Sequence, residues 1–197
     1  MRALTPSLLI QNLSELSSNP EYYSAGFPPV VGSGARILIL GTLPGTASLK
    51  QQQYYAHPQN AFWKILERLF HIPAKAPYIE RCESVKEAKL AIWDVCHSAC
   101  RPGSLDSAIY ADSVIANDIP SLLVSYPKIE LIAFNGNTAA TLFKKHIKTS
   151  LLAETVTLPS TSPAHASLRL EEKLERWRIL QVRLSQAFPG RDSLSSQ

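Results

Sequence analysis

Four short segments combine small, polar and turn-forming residues in a pattern that could build a ligand-binding crevice. They are residues 41–45 (Gly-Thr-Leu-Pro-Gly), the stretch that starts at Asp94, residues 135–137 (Asn-Gly-Asn) and residues 159–163 (Pro-Ser-Thr-Ser-Pro). The two glycines of the first segment let the backbone approach a ligand closely, and the proline stiffens the turn. A Gly-x-x-Pro-Gly turn alone is more often a tight exit from a strand, so it indicates a ligand site only together with the other three segments.

Each of these segments lies at the end of a short apolar run that predicts a β-strand. The runs cover residues 36–41, 90–95, 129–134 and 154–158. The first and third are almost continuously apolar, which is typical of parallel strands covered on both faces. In an open parallel sheet, ligands bind outside the carboxyl ends of the strands. We therefore expect all four segments to face one crevice.

The stretches between the apolar runs have the periodicity of amphipathic helices. Helices are predicted at residues 7–16, 60–70, 113–124, 137–147 and 168–188. Strands alternating with helices predict an α/β fold with three layers (α/β/α) around a central four-stranded parallel sheet. We divide the chain into an N-terminal extension and lead-in loop (1–35), one globular domain (36–188) and a disordered tail (189–197).

The composition is that of an ordinary globular protein with a mildly basic charge. The chain has 197 residues, of which 45% are hydrophobic and 18% charged, and its formal net charge is +4. This charge is compatible with binding to nucleic acid without demonstrating it. No apolar run is long enough for a membrane span, and we expect no secretory signal. Three cysteines are too few for a disulfide framework, which favours a reducing cytoplasm.

An aromatic and polar block follows the first turn: residues 54–63 are Tyr-Tyr-Ala-His-Pro-Gln-Asn-Ala-Phe-Trp. The turn and this block together resemble the uracil-DNA glycosylase superfamily, and most closely its hypoxanthine-DNA (deoxyinosine) glycosylase branch. Three further pieces follow in the order of that family. They are residues 94–107 (Asp-Val-Cys-His-Ser-Ala-Cys-Arg-Pro-Gly-Ser-Leu-Asp-Ser), 134–136 (Phe-Asn-Gly) and 158–163 (Leu-Pro-Ser-Thr-Ser-Pro). The resemblance covers roughly residues 26–177.

The resemblance implies a DNA glycosylase of base-excision repair. Such an enzyme flips a deaminated base, here hypoxanthine, out of the DNA and hydrolyses its N-glycosidic bond. The resemblance implies no metal, no organic cofactor and no lyase activity. The expected partner is DNA containing a deaminated base, and the expected state is a monomer in the cytoplasm. In a bacterium or archaeon the protein would associate with the nucleoid, and in a eukaryote it would be nuclear.

The resemblance also assigns roles to individual residues. Tyr55 matches the ring on which the flipped base stacks, Asp94 matches the group that reads the base edge, and Asn60 matches an asparagine that positions the attacking water. The other predicted base-binding residues are Gly41, Thr42, Leu43 and Asn135. The predicted DNA-binding residues are Ser48, His57, Ser160, Thr161, Ser162, Pro163 and His165, with residues 161–165 as the loop that enters the base stack.

Some positions depart from the family pattern or have a simpler explanation. Leu43 stands where many members have Asp or Asn for the catalytic water, and Leu158 stands where many have His. Asn60 is also a suitable N-cap for the helix that follows. Asp94 could be a turn or helix cap, and the sequence leaves its protonation state open. Asn135 could simply belong to a turn.

Several other functions fit the same residues. A uracil or G:U/G:T mismatch-specific glycosylase would share the pocket, and a non-catalytic DNA-lesion-binding protein is compatible with the apolar Leu43 and Leu158. A hydrolase of small nucleosides would lack the loop that enters the stack. The segment from Cys96 to Cys100 lacks the spacing of a zinc or iron–sulfur site, so we expect free thiols.

Overall fold

The computed structural model describes residues 22–148 and 153–186. In this part of the chain the strands are β1 (Tyr23–Ala25), β2 (Ile37–Gly41), β3 (Leu90–Asp94), β4 (Cys96–Cys100), β5 (Ile115–Ala116), β6 (Leu131–Asn135) and β7 (Glu154–Leu158). The helices are α1 (Thr46–Gln51), α2 (Phe62–Phe70), α3 (Tyr78–Glu87), α4 (Ile119–Ser125), α5 (Asn137–His146), α6 (Leu170–Trp177) and α7 (Ile179–Ser185).

The central sheet is four-stranded and parallel, with the strand order β3-β2-β6-β7. Its register places Gly41 beside Asp94 and Asn135 beside Leu158. The chain therefore brings the carboxyl ends of all four strands to one edge. The predicted α/β fold with a four-stranded parallel sheet is confirmed.

The alternation of side chains along β2 explains why its sequence is continuously apolar. Ile37 and Ile39 point to one face of the sheet, where they pack in a core that includes residues of α2, α6 and α7. Leu38 and Leu40 point to the other face and pack in a second core with residues of α4 and α5. Both faces are covered by helices, so every side chain of the strand is buried.

Three predicted helices have different bounds in the structure. In the region 113–124, Ser113 ends a short 3-10 helix and residues 115–116 form β5, so α4 starts only at Ile119. There Asp118 accepts a hydrogen bond from the Ser121 N–H group at 3.1 Å, and Pro120 lies in the first turn. The described part of the predicted helix 168–188, up to residue 186, contains two helices separated at Arg178. The Arg178 carbonyl accepts a hydrogen bond from the N–H group of Gln181, three residues later, at 3.0 Å. Helix α2 begins at Phe62 instead of residue 60.

Helices α1 and α3, two short 3-10 helices (Asp106–Ala108 and Ala111–Ser113) and the small antiparallel sheet β1-β4-β5 were not predicted from the sequence. In that sheet, β1 lies in the predicted lead-in loop and pairs with β4. The predicted helix at 7–16 and the predicted tail at 189–197 lie outside the described residues.

Candidate active site

A cavity of about 130 Å³ opens at the carboxyl edge of the central sheet. All predicted site residues except His165 contribute to its wall: Gly41, Thr42, Leu43, Ser48, Tyr55, His57, Asn60, Asp94, Asn135, Ser160, Thr161, Ser162 and Pro163. The cavity volume is many times the roughly 10–15 Å³ that one water molecule requires. The four segments singled out in the sequence therefore do meet in one crevice.

Gly41 is required by the close approach of two other cavity residues. A Cβ atom at this position would collide with Oδ1 of Asp94 and would lie 2.8 Å from the hydroxyl oxygen of Tyr55. A residue with a side chain would fit only if both groups moved. The glycine therefore provides the space in which the Asp94 carboxyl and the Tyr55 hydroxyl meet over the end of β2.

The Asp94 carboxyl group is shielded from solvent and incompletely paired. The residue is 3% exposed, and its Oδ2 atom has no hydrogen-bond partner among the described residues. Burial, with the nearby charge of Asp106, raises the pKa of Asp94 to about 8, and the Arg101 guanidinium opposes this shift only in part. Below that pH the carboxyl group is protonated and presents one donor and one acceptor to a ligand.

The Tyr55 ring is held in place by a second aromatic ring. Its centroid lies 3.8 Å from that of Phe62, with 18° between the ring planes. Its backbone has φ 55°, a left-handed conformation that costs a non-glycine residue roughly 1–2 kcal/mol. Burial and the Asp94 charge raise the pKa of the Tyr55 hydroxyl, while the Asn135 side chain partly opposes the shift. The hydroxyl makes no hydrogen bond of normal geometry within the described part of the chain.

Ser48 and His57, both predicted to contact DNA, differ in their exposure to solvent. Ser48 is buried, and its Oγ atom accepts a hydrogen bond from the Ala56 N–H group at 3.2 Å, so it supports the loop that carries Tyr55. His57 is exposed, and its Nδ1 atom accepts from the Gln59 N–H group at 3.2 Å. Contact with DNA remains a prediction for both residues.

Asn60 lies one residue before Ala61, the N-cap of α2, and also lines the cavity. Its Oδ1 atom accepts a hydrogen bond from the Phe62 N–H group at 3.0 Å, so its side chain caps the first residue of the helix. The next residue, Ala61, donates its N–H group to the Thr161 carbonyl at 3.0 Å. Asn60 therefore has a structural role, and its amide NH₂ group has no hydrogen-bond partner within the described residues.

Asn135 and Thr161 hold each other in place. The Asn135 side-chain NH₂ donates to Thr161 Oγ1 at 2.9 Å, and its Oδ1 accepts from the Thr161 N–H group at 2.8 Å. Thr161 is only 1% exposed, so its side chain supports the loop from inside. The exposed part of the predicted stack-entering loop begins at Pro163 and includes His165.

His165 lies outside the cavity, between two outer grooves. One groove, of about 540 Å³, also contains Arg176 and the first residues of α5, and the other, of about 380 Å³, contains Lys64 and Lys173. The exposed Arg176 and Lys64 thus flank the loop on its two sides, whereas Lys173 is buried and donates its ammonium to the His165 carbonyl at 2.9 Å.

A buried arginine that was not among the predicted site residues holds the first turn in place by hydrogen bonds. The Arg101 side chain is 1% exposed, and its guanidinium donates to the Leu43 carbonyl at 3.1 Å and to the Pro44 carbonyl. The same group lies 3.5 Å from Oδ1 of Asp106, which also lines the cavity. A charged pair within a Pro-Gly loop, seven to twelve residues after Asp94, was the available sequence signal.

Other predictions concern groups beside the cavity. Leu158 is buried and does not line it, whereas Leu43 does. Cys96 and Cys100 are buried thiols that form no disulfide among the described residues, in agreement with the prediction. Among the described residues, no cluster of three or more His, Cys, Asp or Glu side chains is arranged to hold a metal ion. No helix in residues 22–148 or 153–186 is long and apolar enough to cross a membrane.

Comparison with known proteins gives concordant matches. The family model of the uracil DNA glycosylase superfamily matches residues 28–181. A hypoxanthine DNA glycosylase of Methanosarcina barkeri (strain Fusaro) is 38% identical over 112 residues, which cover 56% of this chain and 70% of the relative. A hypoxanthine DNA glycosylase of Methanosarcina acetivorans is 35% identical over 141 residues, covering 71% and 87%. The solution NMR structure of a Methanosarcina acetivorans protein, described as a candidate uracil DNA glycosylase, has 33% identity and a TM-score of 0.65, covering 81% of this chain and 99% of that one.

Proposed function

The chain belongs to the uracil DNA glycosylase superfamily and is a DNA glycosylase, and we propose that the base it removes is hypoxanthine. The observation that carries this proposal is the buried Asp94 carboxyl, with its unpaired oxygen in the cavity wall. The names of the two Methanosarcina relatives support the same base.

A protonated Asp94 matches one edge of hypoxanthine. The N1–H group and the C6 carbonyl of this base are a donor beside an acceptor. The carboxylic acid can accept from N1–H through one oxygen and donate its O–H to the carbonyl through the other. Uracil also has an N–H group beside a carbonyl, so this contact supports any base that contains a lactam. Contacts with the rest of the cavity would have to distinguish hypoxanthine from uracil.

Tyr55 would bind the flipped base by stacking. One face of its ring is covered by Phe62, which fixes the ring plane, and Tyr55 lines the cavity. The base would stack on the face turned to the cavity. Contacts of this kind are worth about 1–3 kcal/mol per base.

The proposed chemistry is hydrolysis without strand cleavage. The bond between the base and C1′ breaks with its electron pair on the base, and water adds to the sugar. The Asp94 O–H group would stabilise the negative charge on the departing base, and the Asn60 NH₂ group would hold the water by donating to its oxygen. Among the described residues that line the cavity none is lysine, so no amine is placed to form the Schiff base of a lyase.

The DNA would approach the exposed loop that starts at Pro163. Its tip would fill the space left by the flipped nucleotide, and the exposed Arg176 and Lys64 of the two outer grooves would lie along the backbone phosphates. We propose that a single copy of the chain acts on each lesion.

The experiment that tests this function is a base-release panel. Duplexes containing deoxyinosine, deoxyuridine or thymidine, each opposite all four bases, are incubated with enzyme in excess, and free base is measured by chromatography. We expect hypoxanthine to be released fastest, and strand breaks to form only after alkali treatment. The same purification from cells carrying the empty vector serves as the control for contaminating glycosylases.

Three outcomes would contradict the proposal in different ways. Faster release of uracil or thymine would make the protein a uracil or mismatch glycosylase. Tight binding to deoxyinosine DNA without release of any base would indicate a lesion-binding protein. Strand cleavage without alkali would show lyase activity.

A further inference from the structure

Four residues line both the cavity at the end of the sheet and the larger outer groove next to it: Asp106, Asn135, Ser160 and Ser162. If the base lies in the cavity and the DNA backbone outside it, the glycosidic bond crosses this boundary. Among these four residues only Asp106 carries an ionisable side chain. A carboxyl group is therefore located where the bond between base and sugar has to break.

The other polar groups at the boundary are uncharged and already accept or donate at least one hydrogen bond. Both polar atoms of the Asn135 amide bind Thr161. The Ser160 Oγ atom accepts from the Ser162 N–H group at 3.2 Å, and Ser162 Oγ accepts from the Ala164 N–H group at 3.3 Å. Leu43, at the position where many relatives have a carboxylate or amide, offers no polar group.

Asp106 is anchored on one side and open on the other. Its Oδ1 atom lies 3.5 Å from the buried Arg101 guanidinium, and its carboxyl group lies beside the Thr42 hydroxyl, which favours the ionised form. Yet the side chain is 33% exposed, so water reaches it. A carboxylate that only neutralised Arg101 would not need to face the cavity.

We propose that Asp106 is a catalytic carboxylate of this glycosylase, taking the place of the acidic side chain that Leu43 cannot provide. This inference rests on the proposed base-release activity. The amide of Asn60 can orient a water molecule but cannot take its proton, whereas a carboxylate can do both.

The step assigned to Asp106 begins as the C1′–N bond breaks and its electron pair leaves with the base. The negative charge of Asp106 stabilises the positive charge that grows on the sugar. A water oxygen then bonds to C1′, and one of its protons passes to the Asp106 carboxylate and on to solvent. The base takes up one proton and leaves as the neutral molecule, while the sugar carries a hydroxyl group at C1′.

The charged and titratable groups around Asp106 set the pH range of this step. They are the Arg101 guanidinium, the Asp94 carboxyl, the Tyr55 hydroxyl and the Cys96 thiol. Burial raises the pKa of Asp106, and Arg101 and Thr42 oppose the shift. Since the ionised form is the active one, the rate should fall as the pH drops through this raised pKa.

The test compares Asp106→Asn with wild type in single-turnover release of hypoxanthine between pH 5 and 9. We expect the rate at neutral pH to fall by about 10²–10³, a loss typical of one preorganised catalytic contact, with lesion binding changed less than threefold. The acid limb of the wild-type profile should disappear. Asp112→Asn is the matched control, because Asp112 is an exposed aspartate whose Lys145 partner is also largely exposed. It should behave as wild type.

Chemical rescue of a second variant separates a catalytic role of Asp106 from a structural one, because both substitutions remove the pair with Arg101. Asp106→Ala, assayed at a temperature at which circular dichroism shows it folded, should recover activity when formate is added, because formate can occupy the vacated space and accept the proton. The inference is overturned if Asp106→Asn cleaves within threefold of wild type with an unchanged pH profile, or if formate restores nothing. If wild type itself releases no base from any duplex, the proposed function fails instead.

Discussion

The side-chain oxygen of Asn60 accepts a hydrogen bond from the Phe62 N–H group at 3.0 Å, so one residue of the cavity wall also starts helix α2. The two roles can be separated, because the cap needs the oxygen and the proposed water contact needs the NH₂ group.

Asn60→Ser should keep the helix cap and lose the water contact. We expect its melting temperature to stay near that of wild type, since serine is an equivalent N-cap, while the single-turnover rate falls by about 10²–10³. Asn60→Ala should lose the same rate and in addition about 1 kcal/mol of stability. Differential scanning fluorimetry and base release measure the two effects. A serine variant with the wild-type rate would assign Asn60 to structure alone.

Tyr55 should matter through its ring and not through its hydroxyl. Tyr55→Ala removes the stacking surface, worth about 1–3 kcal/mol, so kcat/KM should fall by about tenfold or more. Tyr55→Phe should be neutral in activity and equal or slightly higher in stability, because it removes a buried hydroxyl that makes no hydrogen bond of normal geometry in the described part of the chain. Equal losses in the two variants would instead give the hydroxyl a direct role.

The proton on Asp94 predicts an alkaline limit to activity. With a pKa of about 8, the carboxyl group loses its donor as the pH rises past that value, and hypoxanthine release should decline. An Asp94→Asn variant keeps one donor and one acceptor at every pH, so its activity should show no decline in this range. If both proteins lose activity alike above pH 8, another group is titrating.

The same proton should affect folding. The folded pKa of about 8 exceeds the value of about 4 expected in the unfolded chain, so the Asp94 carboxyl favours the native state most below pH 4. Its contribution is lost progressively as the pH rises from about 4 to about 8. Relative to Asp94→Asn, wild type should therefore lose a few kcal/mol of stability over this window in urea denaturation, with no further change above it. Parallel stability curves for the two proteins would contradict the raised pKa.

Arg101 should be one of the most sensitive residues of the site. Arg101→Met leaves the Leu43 and Pro44 carbonyls and Asp106 without their buried partner, which should cost about 3–5 kcal/mol in unfolding free energy. Arg178→Met, which removes an exposed pair with Glu175, is the matched control and should cost no more than about 1 kcal/mol. Similar losses in both variants would show that the buried contacts of Arg101 contribute little to the stability of the protein.

The central sheet was predictable because the burial of its strands is visible in their apolar sequences. β2 is covered on both faces, so its sequence is apolar at every position, and the turn at its end is visible as a Gly-x-x-Pro-Gly pattern. Strands β1 and β5 have three and two residues, too short for a periodicity to appear, and β1 pairs with β4 across more than seventy positions of sequence.

The sequence predicted which residues line the cavity better than it predicted the hydrogen bonds between them. The motif residues that line the cavity stand out by type and spacing, whereas the support of Leu43 by Arg101 joins residues 58 positions apart and leaves no local pattern. Likewise, the sequence allowed Asn60 to be a cap or a catalytic group. The cap bond is present in the structure, and the catalytic role remains a prediction.

Thr161 ties the exposed loop to two other parts of the site, through Asn135 at the end of β6 and Ala61 at the start of α2. If the loop keeps this anchored conformation when it meets DNA, the duplex is the partner that has to distort. The work of extrusion is then governed by how firmly a nucleotide is paired and stacked, and it is smallest for a mispaired or damaged one. Selection among nucleotides would accordingly begin with the stability of base pairing and stacking in the duplex, before the base contacts the cavity.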